Sequence, residues 1–187
     1  LDHAMVRRDF ILNGQDSILY NGELSKVQAI QNAAKAFVYG TQIGVEYKFA
    51  KYWSWMTKVS YQQGEEELDD GTTSPSRHVA PWFALSTLEF KQKKWVLDLS
   101  VQYNGERSFE EMPISEIGKA YLYALDKEGR PYSPSWYSVN FHGRFEIDEQ
   151  WTISGGIENI TDQRYRPYSS GLTAAGRNFI LGVGVKF

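Results

Sequence analysis

Few side chains in this 187-residue chain are of a type that does chemistry, and their spacing narrows what chemistry is open to them. The histidines are His3, His78 and His142. None has a second ligand at the spacing that a zinc or copper site uses. His142 lies on the polar side of an alternating stretch beside Arg144, as a histidine wetted by water would. His78 follows Arg77 in a polar loop. "GEEELDDGTT" (64–73) crowds Glu65, Glu66, Glu67, Asp69 and Asp70 together. Calcium takes several such oxygens, but this spacing matches no EF-hand loop, so the segment reads as a solvated acidic loop. The chain has no cysteine, which excludes disulfides and thiolate metal sites. No Ser/His/Asp order, no paired carboxylates and no phosphate-cradling glycine motif stands out. Neither an enzyme nor a catalytic residue, metal or cofactor is expected.

Binding is better served. "KAYLYALDKEGRPYSPSWY" (119–137) and "RYRPYSSG" (164–171) concentrate tyrosine and arginine in long loops. Tyrosine offers a large contact area with one hydrogen-bonding tip, and arginine grips anionic groups. Tyr121, Tyr123, Arg166 and Tyr168 are therefore candidate ligand contacts, together with His142 and Arg144. The net charge of −3 gives no reason to expect nucleic acid.

The elements that must hold these loops alternate with period two. One face collects Phe37, Tyr39, Ile43, Val45, Tyr47 and Phe49, and the next strand adds Trp53, Trp55, Val59 and Tyr61. Further strands give Trp82, Ala84, Leu88 and Phe90, then Trp95, Leu97, Leu99, Val101 and Tyr103. Tyr137, Val139, Phe141, Phe145 and Ile147 follow, then "WTISGGIEN" (151–159), then Phe179, Leu181, Val183, Val185 and Phe187. Such alternation makes an apolar face and a polar one. An eighth strand is expected around Met5–Phe10, with poorer alternation. Turns of hairpin length alternate with long polar loops near 64–81, 105–135 and 160–177, which describes an antiparallel up-and-down meander. Segment 114–125 reads either as a short helix or as the tip of two long strands.

Parity alone does not say which face is inside. A soluble barrel turns the apolar face inward, and a membrane barrel turns it to lipid. The strands are longer than the usual soluble ~5–6 residues and match the ~9–11 that cross a bilayer. Aromatics make up 15% of the chain, and they flank the short turns as Phe49/Trp53 and Phe90/Trp95, with Trp151 opposite Ile147 at the third. Tryptophan at strand starts suits the membrane–water interface, so the apolar parity is assigned to lipid. Arginine or lysine is then expected to be costly at Leu99, Val139 or Val183, and lysine tolerable at Ser100 or Asn140. The opening residues carry no basic n-region or apolar h-region of a signal peptide, and a partial chain is expected.

Roughly the last 140 residues resemble the C-terminal strands of TonB-dependent outer-membrane receptors. The likeness rests first on "ENITDQRYRPYSSGLTAAGRNFILGVGVKF". There Glu158, Asn159, Ile160, Asp162 and Tyr165 precede a Gly176–Arg177 pair and a strand ending in Phe187. "QNAAKAFVYGTQIGVEYKF" adds Asn32, Lys35 and Gly40, and "SRHVAPWFALSTLEF" resembles the family's Pro-led descending strand. The resemblance implies an all-β transmembrane barrel of about 22 strands, of which residues 1–187 would be roughly the last eight, without the plug domain and earlier strands. It implies TonB-driven uptake of an iron–siderophore, haem or cobalamin type of ligand, a small molecule or metal chelate. The partners implied are the TonB inner-membrane complex, outer-membrane lipid and lipopolysaccharide, and the barrel-assembly machinery. Phe179, Leu181, Val183, Val185 and Phe187 would then close and assemble the barrel. A self-contained eight-stranded outer-membrane anchor or adhesin, and a soluble ligand-binding barrel, are the alternatives.

Overall fold

The computed structural model describes residues 5–32, 35–68, 71–77 and 79–187. His3, Asp69, Asp70 and His78 lie outside the described residues. The chain divides into two compact units, Leu1–Val38 with Gly64–Ser76 and Tyr39–Gln63 with Arg77–Phe187.

The first unit is built on hairpins. Strand β1 (Met5–Asp9) pairs with β4 (Gln28–Asn32), and between them β2 (Ser17–Tyr20) pairs with β3 (Glu23–Lys26). Asn21 and Gly22 join β2 to β3 with φ of 49° and 85°. Both values lie in the left-handed region that an Asn-Gly hairpin turn requires. The strand expected at Met5–Phe10 therefore exists, but it pairs within this hairpin and adds nothing to the large sheet.

Seven long strands make the wall. In chain order the remaining elements are β5 (Ala36–Ala50), β6 (Trp53–Glu67), the short β7 (Thr73–Pro75), β8 (Phe83–Gln92) and β9 (Trp95–Asn104). Helix α1 (Ile114–Ile117), β10 (Ala124–Leu125) and β11 (Pro131–Tyr132) sit in the loop that follows. Then come β12 (Trp136–Glu146), β13 (Trp151–Glu158) and β14 (Asn178–Val185). The eight-stranded sheet runs β14-β13-β12-β9-β8-β6-β5, with β7 on β6. Each neighbouring pair from β6 to β14 is antiparallel. The path ends at β14 and β5 and does not close on itself, so the described strands form an open wall.

Register carries the alternation across the wall. Trp55, Leu88, Leu99, Phe141, Ile157 and Phe179 pair in succession as one apolar row. The row one residue along runs Met56, Thr87, Ser100 and Asn140 on the opposite face. Among the described residues nothing covers the apolar rows: Leu181 is 82% exposed and Phe179 71%. Among the described residues the buried apolar side chains are Val79, Met112 and Trp136, none of them in these rows. Such a surface has no place in water, where each exposed leucine forgoes ~1.5–3 kcal/mol of burial.

Two aromatic belts bound that surface. At the short-turn end Trp53 lies 6.5 Å from Phe49 and 5.0 Å from Phe90, and Trp95 lies 4.4 Å from Phe145, centroid to centroid. At the long-loop end Trp82 lies 4.7 Å from Tyr103. From Trp95 to Tyr103 is about 27 Å of strand at ~3.4 Å per residue. A tilt of ~35–45° leaves about 20 Å of height, close to the ~25 Å apolar band of an outer-membrane barrel. The face in question is built to meet lipid.

Candidate ligand cleft at the long-loop end

Along β12 the inward parity is Trp136, Ser138, Asn140, His142 and Arg144. Its first two members are buried, Trp136 at 8% exposure and Ser138 at 4%, while Arg144 at the other end is exposed. Loops 105–135 and 160–177 fold over the inner face only at this end. Trp136 stacks on Tyr165 with centroids 4.0 Å apart and planes 18° from parallel. An apolar residue on the polar parity is thus explained: it is the floor on which the last loop rests.

That loop is closed by the motif residues themselves. Asn159 takes φ 47° and is almost fully enclosed. Its side-chain amide donates to the carbonyls of Gln163 (2.8 Å) and Ala175 (3.2 Å), and its Oδ1 accepts the N–H of Gln163 (3.0 Å). Its own N–H donates to Asn140 Oδ1 at 2.8 Å. Asp162 Oδ1 accepts the Arg177 N–H at 2.8 Å, and Arg177 Nε donates to the Ile160 carbonyl at 3.0 Å. A Cβ at Gly176 would sit 2.8 Å from Asp162 Oδ1, so a side chain there would push that carboxylate off the Arg177 N–H. Asn140 is therefore engaged, and lysine there would break the contact to Asn159. Of the two inward positions expected to tolerate lysine, Ser100 remains.

Loop 105–135 is held from within. Segment 114–125 takes the helical alternative at its start, as α1, then a 3-10 turn over Ala120–Leu122. Asp126 Oδ1 accepts the N–H groups of Glu128 (2.9 Å) and Arg130 (2.8 Å), which shapes the β10–β11 turn. Backbone hydrogen bonds offset burial and, with Arg130, hold the Asp126 carboxyl below its usual value.

Between the two loops lies a cleft of about 410 Å³. Tyr123, Tyr132, Trp136 and Tyr165 supply aromatic wall, and Arg164 and Arg166 supply charge. Among the described residues no carboxylate lines it, which leaves the lining cationic. Such a lining suits a ligand with planar or apolar groups and net negative charge.

The residues expected from sequence fall into three places. Tyr123 and Arg166 line the cleft. Tyr168 stands behind it, 6.2 Å from the Tyr123 ring, and burial pushes its phenol up. Tyr121 is 77% exposed and outside the lining. His142 and Arg144 lie farther down the inner wall in a separate hollow with Glu89, Lys91 and Asp98. There His142 Nδ1 is 3.3 Å from Asp98 and Nε2 is 3.6 Å from Glu158. Among the described residues no group of three potential metal ligands is gathered. Phe179, Leu181, Val183 and Val185 sit on the apolar face of β14, beyond which Phe187 is fully exposed. Sequence reading missed Trp136, Tyr132, Tyr165 and Arg164. The signal for Trp136 was available: it is aromatic on a parity otherwise occupied by Ser138, Asn140 and His142.

No protein-family model matches the sequence, and no curated protein matches it. Solved structures do. The copper transporter OprC superposes with TM-score 0.69 at 15% identity, over 86% of this chain and 24% of that one. The ferric enterobactin receptor PfeA, in complex with BCV-L6, gives 0.68 at 12% identity, over all of this chain and 28% of the other. The FrpB iron transporter from Neisseria meningitidis gives 0.64 at 13%, over 87% and 25%. The fold is that of the corresponding part of their β-structure. This chain spans about a quarter of the length of those receptors. By name they are transporters and receptors.

Proposed function

We propose that this chain is the C-terminal part of the barrel wall, with its outer loops, of a TonB-dependent outer-membrane receptor that imports a bulky anionic metal chelate. The observation that carries the reading is the pairing of a two-belted lipid face with a cationic aromatic cleft, which the loops enclose over the inner face at one end. The cleft end would face the cell exterior and the short turns the periplasm. The neighbours are named for copper, ferric enterobactin and iron, and iron–siderophore, haem and cobalamin are the ligands to test. Uptake against a gradient would need the plug and the TonB inner-membrane complex. Outer-membrane lipid and lipopolysaccharide would bound the wall. Phe179, Leu181, Val183, Val185 and Phe187 would serve closure and the barrel-assembly machinery. The open path of the sheet gives no support to a self-contained eight-stranded barrel.

The test is ligand uptake by the complete receptor in an outer membrane, offered a panel of ferric chelates, haem and cobalamin. Replacing Arg164 and Arg166 together by alanine is expected to weaken binding of the accepted ligand by at least tenfold, at ~1.5–3 kcal/mol for each charged hydrogen bond lost. The folded receptor should remain in normal amount, because both side chains are exposed. Uptake that persists without TonB, or binding indifferent to both arginines, would overturn the reading.

A further inference from the structure

Glu116 is the most completely enclosed charged side chain in the loops, at 0% exposure. It sits on α1, a single helical turn, and its carboxylate has three partners. Arg77 Nε donates to Oε1 at 2.7 Å, Lys119 Nζ to the same oxygen at 3.2 Å, and Tyr123 Oη to Oε2 at 2.6 Å. Arg77 belongs to the segment that leads into β8, so one carboxylate ties two loops. The third loop is reached through rings. Tyr123 meets Tyr168 at 6.2 Å, and the Arg107 guanidinium lies over Tyr168 at 5.8 Å. Arg107 in turn donates to the carbonyls of Val79 (3.0 Å) and Ala80 (3.1 Å), returning to the first segment. The chain of contacts is a circuit through Arg77, Val79 and Ala80, then 107–123, then Tyr168.

We propose that Glu116 is the clasp of this circuit: its ionised carboxylate makes three loops one cooperative cap and fixes Tyr123 as a wall of the cleft. The reason is the geometry of the pairing. An enclosed carboxylate is tolerated only while its hydrogen bonds are complete, and removing the charge leaves Arg77 and Lys119 facing each other without an anion. Loss at Glu116 therefore propagates to segments that it does not touch. The clasp is acid-labile. Burial raises the affinity of the Glu116 carboxyl for a proton, but the hydrogen bonds from Tyr123, Arg77 and Lys119 outweigh it, and the group titrates below its usual 4.5. A depressed carboxyl contributes stability that is complete above the unfolded value and is lost as pH falls through the folded one. The cap should thus hold at neutral pH and loosen only below about 4.5. The charged and titratable groups around the carboxylate are Arg77, Lys119, Tyr123, Tyr168 and Arg107. Tyr123 and Tyr168 have phenols raised by burial.

Amide hydrogen exchange on the complete receptor tests this without any ligand, so it succeeds or fails separately from the transport reading. At pH 7, Glu116→Gln is expected to lower protection by about a hundredfold or more across 79–82, 107–125 and 165–170 alike, with β8, β9 and β12 unchanged. Arg77→Gln should reproduce much of the loss, and the double variant should add little to it. Tyr123→Phe, which keeps the ring, should loosen 165–170 less than Glu116→Gln does. As pH falls below 4.5, the wild type should lose protection at 165–170 while Glu116→Gln changes little, a difference that removes the titration of Glu110, Asp126 and Asp162 from the comparison. Loss confined to 114–123, or identical acid profiles in the two proteins, would overturn the proposal.

Discussion

Arginine in place of Leu99 is expected to destabilise the assembled barrel by about 2–4 kcal/mol, the cost of a charge at the midplane of a lipid-facing wall. Leu99 sits in the apolar row between Leu88 and Phe141, halfway between the two aromatic belts, so the side chain cannot reach either interface without bending away from the strand. Lysine at Ser100, the next residue, is expected to cost under about 1 kcal/mol, because it joins Thr87 and Asn140 on the inner face, where water and polar groups are at hand. Val183 should behave as Leu99 does. The measurement is reversible folding of the full receptor into lipid vesicles, followed through a denaturant titration. Equal costs at Leu99 and Ser100 would mean that neither face meets hydrocarbon.

Alanine in place of Asn159 is the second large effect expected, at about 2–4 kcal/mol of local stability. Two losses add. A side chain with a Cβ in the left-handed region costs roughly 1–2 kcal/mol without the local hydrogen bonds that let asparagine stay there. The hydrogen bonds to the Gln163 N–H and to the Gln163 and Ala175 carbonyls are also lost, and because water reaches both residues the further cost is ~1–2 kcal/mol in total. Glycine at the same position should recover the first loss and not the second, which separates strain from hydrogen bonding. The loop 160–177 should become sensitive to protease, and the stack of Tyr165 on Trp136 should loosen with it. Resistance equal to wild type in both variants would show that the loop closes by other means.

These two sites also mark how much was legible in the sequence. The wall was. Leu97, Leu99, Val101 and Tyr103 share a parity that no register consistent with a buried face can break, and the short turns at 49–53 and 90–95 fix which strands are neighbours. The lipid assignment followed from length and from the tryptophans, which are one-dimensional signals. The hairpin at Met5–Asp9 was placed in the wrong sheet, because strand pairing beyond the nearest turn leaves no mark on a short strand of mixed parity. The cleft was half legible. Tyr123 and Arg166 were found by composition alone, but composition equally proposed Tyr121, which points away. Glu116 was unreadable, since a single acid in "ISEIGK" looks like any exposed helical glutamate until Arg77 is brought to it across 39 residues. The Asn159–Asp162–Gly176–Arg177 set was recognised as a motif, while its work, closing a loop through side-chain-to-backbone hydrogen bonds, required the fold.

These 187 residues contain no cysteine, so single cysteines can be introduced along β9 and spin-labelled one at a time in the complete protein, any cysteine elsewhere being first replaced by serine, in lipid vesicles. Accessibility to oxygen, which concentrates in hydrocarbon, and to a water-soluble nickel chelate is then read at positions 96 to 102. Oxygen accessibility is expected to peak at 97, 99 and 101 and nickel accessibility to stay low there, with the ratio falling at 98, 100 and 102. A reversed phase, or no alternation between Leu97 and Gln102, would contradict a wall whose apolar parity faces the membrane.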